Sequence, residues 1–193
     1  MFVQTPSLLL LALANTVSSL ASDHSAILKI PNEDWDALNA SVSGRLGVLR
    51  PLAEPCYLKY DAYGQTRFHT PDLEACEIAQ KNKRNVEFIT SQPAAYHDAF
   101  FGSCMTEGHA CPLTHLPANG TNPLQATCYQ GSVPDYYIDV RKVSDIQVGL
   151  RFAEEHNIPL VIKNTGHDYK GRSAGRHSLA IWYVNNNVFP NSL

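Results

Sequence analysis

The sequence lacks an excess of charge of either sign. It carries 15 lysine and arginine residues against 18 aspartate and glutamate residues. The largest basic cluster, residues 81–84, is best explained as a solvated helix end. Charged residues make up 17% and apolar residues 44% of the 193 positions, a balance typical of globular proteins rather than disordered ones. We therefore expect a folded chain without a nucleic-acid partner.

The sequence also lacks an apolar run long enough to cross a bilayer, which takes about 20 residues. Its short apolar run at residues 8–13 is followed by small residues up to Ala21. This pattern predicts a signal peptide over residues 1–21, with a buried N-terminal helix as the alternative. Sequons at Asn39 and Asn119 agree with secretion and predict glycosylation. We expect a secreted or secretory-pathway protein that is not held in a membrane after cleavage.

No two cysteines have the C-x-x-C spacing of a zinc ribbon, and the histidines complete no ligand set, so we predict no metal site. The chain has five cysteines: Cys56, Cys76, Cys104, Cys111 and Cys128. In an oxidising compartment these would form disulfides and leave one thiol over. We favour Cys56–Cys76 and Cys111–Cys128 with Cys104 unpaired, although the sequence leaves other connectivities open.

The mature chain divides into two parts near residue 128. Residues 22–128 are rich in turn-forming residues and are predicted to be an irregular, cysteine-containing extension. Within it, apolar residues at helical spacing favour helices over 32–46 and 72–82, and 102–125 is predicted to be a loop. Residues 129–193 have a more regular pattern and are predicted to be a partial domain.

The second part has the pattern of an α+β fold. Apolar runs predict strands at 136–140, 158–163 and 178–183, with an amphipathic helix at 143–157 between the first two. Ser144 is a plausible N-cap of this helix. The order strand, helix, strand suggests a parallel pair joined by a crossover helix.

A loop with three glycines follows the second strand. Residues 164–175 are Asn-Thr-Gly-His-Asp-Tyr-Lys-Gly-Arg-Ser-Ala-Gly, which contain neither the P-loop motif nor the G-x-G-x-x-G motif. Spacing by itself favours a plain surface turn. Glycine nevertheless permits a positive φ and a close approach to a ligand, and successive N–H groups can form a nest for a phosphate. Thr165, Arg172 and Ser173 could add donors.

This loop and its flanks resemble the pyrophosphate loop of fungal FAD-linked oxidases. These enzymes belong to the vanillyl-alcohol-oxidase/berberine-bridge-enzyme superfamily, which has a PCMH-type FAD-binding domain. The resemblance is strongest over residues 145–182, with the motif at 162–173 and the strand at 178–182. A looser similarity extends upstream through residues 35–56, so that residues 30–183 are covered.

The resemblance implies an FAD cofactor whose pyrophosphate lies on the loop. The implied cofactor-binding residues are Asn164, Thr165, Gly166, His167, Asp168, Gly171, Arg172 and Ser173. His167 occupies the position that often bonds covalently to the flavin 8α-methyl group, and a neutral imidazole is nucleophilic near neutral pH. The implied activity is oxidation of a small molecule in fungal secondary metabolism, by hydride transfer to flavin and on to O₂.

The sequence departs from this family in length, because its relatives are more than twice as long. The general base and much of the flavin-binding surface lie downstream in those relatives, so we assign no catalytic acid or base to this chain, and its catalytic residues stay unknown. The chain is expected to be inactive by itself, and the alternative is a non-catalytic secreted remnant or binding module. The resemblance ends after Trp182, and we expect Val161, Ile162, Leu179 and Ile181 to be exposed.

Overall fold

The computed structural model describes residues 26–96, 111–113 and 124–184. The helices are α1 (Asn32–Ser41), α2 (Leu73–Asn82), α3 (Val86–Thr90) and α4 (Val143–Glu155), and 3₁₀ turns lie at Ala26–Lys29 and Glu54–Cys56. The strands are β1 (Leu46–Val48), β2 (Tyr57–Ala62), β3 (Gln65–Phe68), β4 (Leu124–Tyr129), β5 (Tyr136–Asp139), β6 (Leu160–Lys163) and β7 (Leu179–Trp182). The predicted signal peptide, Cys104, Asn119 and most of the predicted loop 102–125 lie outside the described residues.

The larger sheet has the strand order β1-β5-β7-β6. Strands β5, β7 and β6 are parallel, and β1 pairs with β5 in the antiparallel sense. The three strands predicted from apolar runs are confirmed, as is the helix between the first two. The predicted pair is parallel but not adjacent, because β7 lies between β5 and β6. Helix α4 therefore connects β5 to β6 across the position that β7 occupies in the sheet.

The main apolar core lies between this sheet and helices α1 and α4. Trp35 of α1 stacks on Tyr136 at a ring separation of 4.0 Å and contacts Phe152 of α4 at 4.8 Å. Gly149 lets α4 approach the sheet closely, since a Cβ there would lie 2.6 Å from Cδ1 of Ile181. The other buried members are Ile27, Leu38, Val42, Ile138, Val140, Ala153, Ile158 and Leu179.

Two of the residues that we expected to be exposed are buried. Leu179 and Ile181 are 0% and 2% exposed, because β7 has a neighbour on each side and α4 above it. Ile162 is 58% exposed as expected, and it lies on β6, the edge strand of the described sheet. Val161 on the same strand is partly buried.

Helix α1 ends earlier than its apolar spacing predicted. The predicted helix 32–46 stops at Ser41, because the chain reverses through positive φ angles at Ser43 and Gly44. The side-chain oxygen of Asn39 then accepts the N–H of Leu46 at 3.1 Å, where β1 begins. Leu46 has the spacing of a helical residue but belongs to a strand.

The start of α4 is fixed by Asp145 rather than by the predicted N-cap, Ser144, which lies inside the first turn. The fully buried Asp145 carboxylate accepts the N–H groups of Arg141 and Lys142 at 2.9 and 3.2 Å. It also pairs with the Arg45 guanidinium at 2.6 Å. This ion pair connects the segment before β1 to the start of α4.

The extension is more regular than predicted, because it contains a second sheet with the order β3-β2-β4. The predicted disulfides Cys56–Cys76 and Cys111–Cys128 are both present. They lie in a separate small core with Ala53, Tyr57 and Tyr60. The predicted second helix is confirmed as α2, whose first turn is capped by the carboxylate of Asp72.

Among the helices of the described ranges, none combines the length and the apolar character that a membrane crossing requires.

Candidate functional site: an open cleft at the end of strand β6

The loop 164–175 leaves the carboxyl end of β6 and borders an open cleft of about 560 Å³. In sheets of parallel strands, ligands commonly bind beyond the carboxyl ends of the strands. All the predicted cofactor-binding residues except Gly171 line this cleft. Its lining comprises Leu160, Val161, Ile162, Asn164, Thr165, Gly166, His167, Asp168, Arg172, Ser173 and Tyr183.

The Asp168 side chain organises the loop. Its carboxylate accepts the backbone N–H groups of Lys170 and Arg172 at 3.2 and 2.7 Å. It also accepts two hydrogen bonds from the Arg172 guanidinium, each 3.0 Å long. These contacts, with the Arg172 side chain first among them, hold the pKa of Asp168 at about 2. The carboxylate is therefore ionised at every physiological pH.

The paired side chains change the role expected for Arg172. The sequence suggested a donor for a bound anion, but two of its guanidinium nitrogens already bond to Asp168. A lone carboxylate in a phosphate-binding loop would repel the ligand, and the arginine neutralises it. Arg172 thus stabilises the turn and removes an unfavourable charge from the cleft.

Glycine is required at Gly166 for two reasons. Its φ angle is +85°, a conformation that strains other residues. A Cβ at this position would also lie 3.0 Å from the Ala95 carbonyl oxygen and 3.2 Å from Cε of Lys163. Gly171, at φ +70°, closes the turn by donating its N–H to the Asp168 carbonyl at 3.0 Å.

Several donors of the cleft have no acceptor among the residues that the structure describes. The Ser173 hydroxyl is buried and has no hydrogen-bond partner among the described residues. The backbone N–H groups of Thr165 and Gly166 likewise donate no hydrogen bond within the described part of the chain. Buried polar groups normally find partners. A phosphate oxygen is the acceptor that such a set of donors fits best.

His167 is exposed and lies on the wall of the cleft. Its neighbours in the chain, Gly166 and Asp168, have their positions fixed by packing and by the arginine pair. The imidazole can therefore contact a molecule that fills the cleft.

The sequence reasoning missed Lys163 as a structural feature of the site. Lys163, the last residue of β6, is fully buried, and its Nζ donates to the Gln92 carbonyl at 3.0 Å. The ammonium lies 5.2 Å from the ring of Tyr96 and 5.7 Å from that of Trp182. Burial lowers the pKa of Lys163 to about 8. A lysine that ends an otherwise apolar strand was the available signal.

The exit of the loop contacts the second sheet through a buried polar cluster. The His177 ring lies against that of Tyr63 at 3.7 Å with a tilt of 38°, and its Nδ1 lies 3.9 Å from an oxygen of Asp135. The Arg176 guanidinium lies over the Tyr63 ring, 4.6 Å from its centroid. Burial raises the pKa of Asp135 to about 6, against the lowering effect of its hydrogen bond with Tyr63 and of Arg176. The cluster joins the β2–β3 turn to the start of β7.

The chain is similar over most of its length to fungal flavin enzymes. FAD-linked oxidoreductase ffsJ of Aspergillus flavipes is 34% identical over 181 residues, which cover 92% of this chain and 26% of the relative. VAO-type flavoprotein oxidase VAO615 of Thermothelomyces thermophilus is 31% identical over 188 residues, or 91% of this chain and 29% of the relative. No protein-family model matches the chain.

The fold agrees with these sequence matches. The crystal structure of VAO-type flavoprotein MtVAO713 from Myceliophthora thermophila C1 superposes with a TM-score of 0.63 at 28% identity. That match covers 79% of this chain and 24% of the solved one. The architecture is therefore that of VAO-type flavoproteins, which confirms the predicted α+β fold class.

The chain thus matches fungal FAD-linked oxidoreductases in sequence and VAO-type flavoproteins in fold. It spans about a quarter of the length of the curated relatives it matches.

Proposed function

We propose that the loop 164–175 binds the pyrophosphate of FAD, and that the chain serves a flavin-dependent oxidation of a small molecule. The observation that carries this proposal is the set of unused donors at Thr165, Gly166 and Ser173 on a cleft at the end of β6. The similarity to FAD-linked oxidoreductases suggests FAD as the cofactor. The donors offer a binding place for the pyrophosphate, which is the most highly charged part of FAD.

The residues of this chain perform binding and orientation in this proposal. The turn held by Asp168 and Arg172 places the donors along the lining of the cleft, and the exposed apolar surface of Ile162 can cover an apolar part of the ligand. When bound, FAD supplies the capacity to accept a hydride from the substrate and to pass electrons to O₂. We propose a substrate of fungal secondary metabolism, and no catalytic acid or base is assigned to this chain.

Binding is tested by equilibrium dialysis of the 193-residue chain with FAD. We expect affinity between roughly millimolar and tens of micromolar, since a few charge-assisted hydrogen bonds are offset by the cost of ordering the ligand. Ser173→Ala removes a buried donor and should weaken binding about tenfold. Ser41→Ala, at an exposed serine on α1 far from the loop in the chain, is the control and should bind as wild type does.

Two results would contradict the proposed site. Equal FAD affinity in the Ser173→Ala and wild-type chains would place the phosphates elsewhere. Submicromolar binding, or oxidase turnover by this chain, would show a more complete flavin site than we propose. A folded chain that binds no FAD would instead favour the non-catalytic binding module.

We further propose that His167 forms a covalent bond to the flavin. A carbon–nitrogen bond would form between the exposed imidazole and the 8α-methyl carbon of the flavin. One C–H bond of the methyl group and the imidazole N–H bond are broken, and the two electrons and two protons released reduce O₂ to hydrogen peroxide. In a protein that contains the downstream flavin-binding half, acid precipitation should release flavin from His167→Ala but not from wild type. Flavin that stays attached to the variant would show that another residue is the attachment point.

Secretion is also a proposal, with cleavage near Ala21 and glycosylation at Asn39 or Asn119. Asn39 is partly buried on α1 and its side-chain oxygen accepts the N–H of Leu46. Expression in a fungal host with and without endoglycosidase treatment tests both features. Recovery of an uncleaved cytosolic protein without sugar would contradict them.

A further inference from the structure

Residues 92–96 of the extension pack beneath the loop 164–175 and contact both of its ends. At the start of the loop, Gly166 lies against Ala95 and Tyr96, so closely that a Cβ would meet the Ala95 carbonyl at 3.0 Å. Near its end, the Tyr96 hydroxyl donates to the Ser173 carbonyl at 3.4 Å. We call residues 92–96 the supporting segment.

Lys163 joins the supporting segment to the strand from which the loop departs. Its side chain is fully buried, and its ammonium donates to the Gln92 carbonyl at 3.0 Å. The rings of Tyr96 and Trp182 lie 5.2 and 5.7 Å from the ammonium, within the range of favourable cation–π contacts. The contacts thus connect β6, β7 and the supporting segment.

The position of Lys163 is unusual because no carboxylate of the described residues compensates its charge. Among the described residues, the groups that face the ammonium are the Gln92 carbonyl and the two rings. A buried ammonium without an acidic partner costs stability. An apolar side chain of the same length would avoid this cost, so the lysine is not explained by stability.

We propose that Lys163 is a positioning residue, whose ammonium fastens the supporting segment beneath the loop and so holds Gly166 and Ser173 in place for phosphate binding. The proposal rests on the proposed flavin role of the loop. The effect of Lys163 on the loop can, however, be measured without flavin. The positioning role of Lys163 and the flavin role of the loop can therefore fail separately.

The matched variants are Lys163→Met and Lys81→Met in the 193-residue chain. Methionine is close to lysine in length but cannot donate to Gln92, and Lys81 is an exposed lysine on α2. Amide hydrogen exchange of residues 164–175 is measured without FAD at pH 7. We expect protection of these amides to fall about tenfold in Lys163→Met and to remain unchanged in Lys81→Met. We also expect the overall stability of Lys163→Met to be equal to that of wild type or higher, because a buried charge has been removed.

A pH profile separates positioning from a general packing role. Lys163 titrates near pH 8, because burial lowers its pKa. Of the groups that face it, Tyr96 also titrates, but burial raises its pKa well above this range. The protection of residues 164–175 in wild type should therefore decrease between pH 7 and 9, as the charged donor is lost. Emission from Trp182 should change over the same interval, and Lys163→Met should show neither change.

Unchanged protection of the loop in Lys163→Met would overturn the positioning role of Lys163. So would a variant that unfolds or loses protection throughout the chain, because the lysine would then have a general structural role. If the loop loosens as expected, dialysis should show about tenfold weaker FAD binding than in wild type. A loosened loop in a chain whose wild type binds no FAD would instead support the fastening role and refute the flavin function.

Discussion

Replacing Gly166 by alanine measures how closely the loop is held against the supporting segment. Two effects act on the added methyl group. The φ angle of +85° strains an L-residue by about 1–2 kcal/mol. The methyl would also lie 3.0 Å from the Ala95 carbonyl and 3.4 Å from Cα of Tyr96, which are backbone atoms that cannot rotate away. Relieving such a contact typically costs about 1–3 kcal/mol more.

Gly64 provides a matched control for the first effect. Its φ angle is +88°, and a Cβ there would have nothing within 4 Å. Alanine at either position also reduces the entropy of the unfolded chain, which offsets about 0.4–1 kcal/mol. We therefore expect Gly64→Ala to lower the free energy of unfolding by about 1 kcal/mol and Gly166→Ala to lower it by about 3 kcal/mol.

Urea denaturation of both variants, followed by circular dichroism, measures these changes. The dependence of the unfolding free energy on urea should stay the same, so that the midpoint shift reports stability. Equal destabilisation of the two variants would refute the reasoning, because it would show that the supporting segment does not restrain Gly166. In Gly166→Ala, FAD binding should also be weaker, since the N–H groups at the start of the loop move with the strain.

Three other perturbations have defined outcomes. Asp145→Ala should lower the free energy of unfolding by about 3–5 kcal/mol, because it leaves Arg45 and two N–H groups without their acceptor, whereas Glu77→Ala at an exposed pair should cost less than about 1 kcal/mol. Because the pKa of Asp135 is raised in the folded chain, its protonated carboxyl contributes to the free energy of unfolding at low pH. This contribution is lost as pH rises towards 6. Urea titrations at several pH values should therefore show wild type losing about 1.4 kcal/mol per pH unit between pH 4 and 6 relative to Asp135→Asn, and a flat difference would contradict burial of the carboxyl. Reduction of Cys111–Cys128 should lower the thermal midpoint by an amount equivalent to about 3 kcal/mol, and no shift would show that this disulfide does not restrain the unfolded chain.

The sequence was most informative where apolar residues follow one another without a break. The runs that became β5, β6 and β7 were found because strands of a parallel sheet favour such runs, although only β7 is buried at all four positions. The order of the strands was not accessible in the same way. The insertion of β7 between its two predecessors is decided by long-range pairing, and the burial of Leu179 and Ile181 follows from that order.

The extension was predicted less well because its strands are short and partly exposed. The residues of β3 are all exposed, so no alternation of polar and apolar residues marks the strand. Leu46 matched the helical spacing of α1, and the turn at Ser43 and Gly44 overrode it. The cysteine pairs were predicted correctly, although the sheet that holds Cys128 was not.

The candidate site shows the limit of local patterns most clearly. Glycine at position 166 predicts that something approaches the backbone, and a ligand was the natural interpretation. In the structure the close neighbour is the supporting segment, about 70 residues earlier in the chain. The ligand would instead meet donors that have no acceptor in the described part of the chain, such as the hydroxyl of Ser173. A motif can thus predict which residues form a loop, but the support that fixes its shape comes from Lys163, whose partner at Gln92 is visible only once the chain has folded.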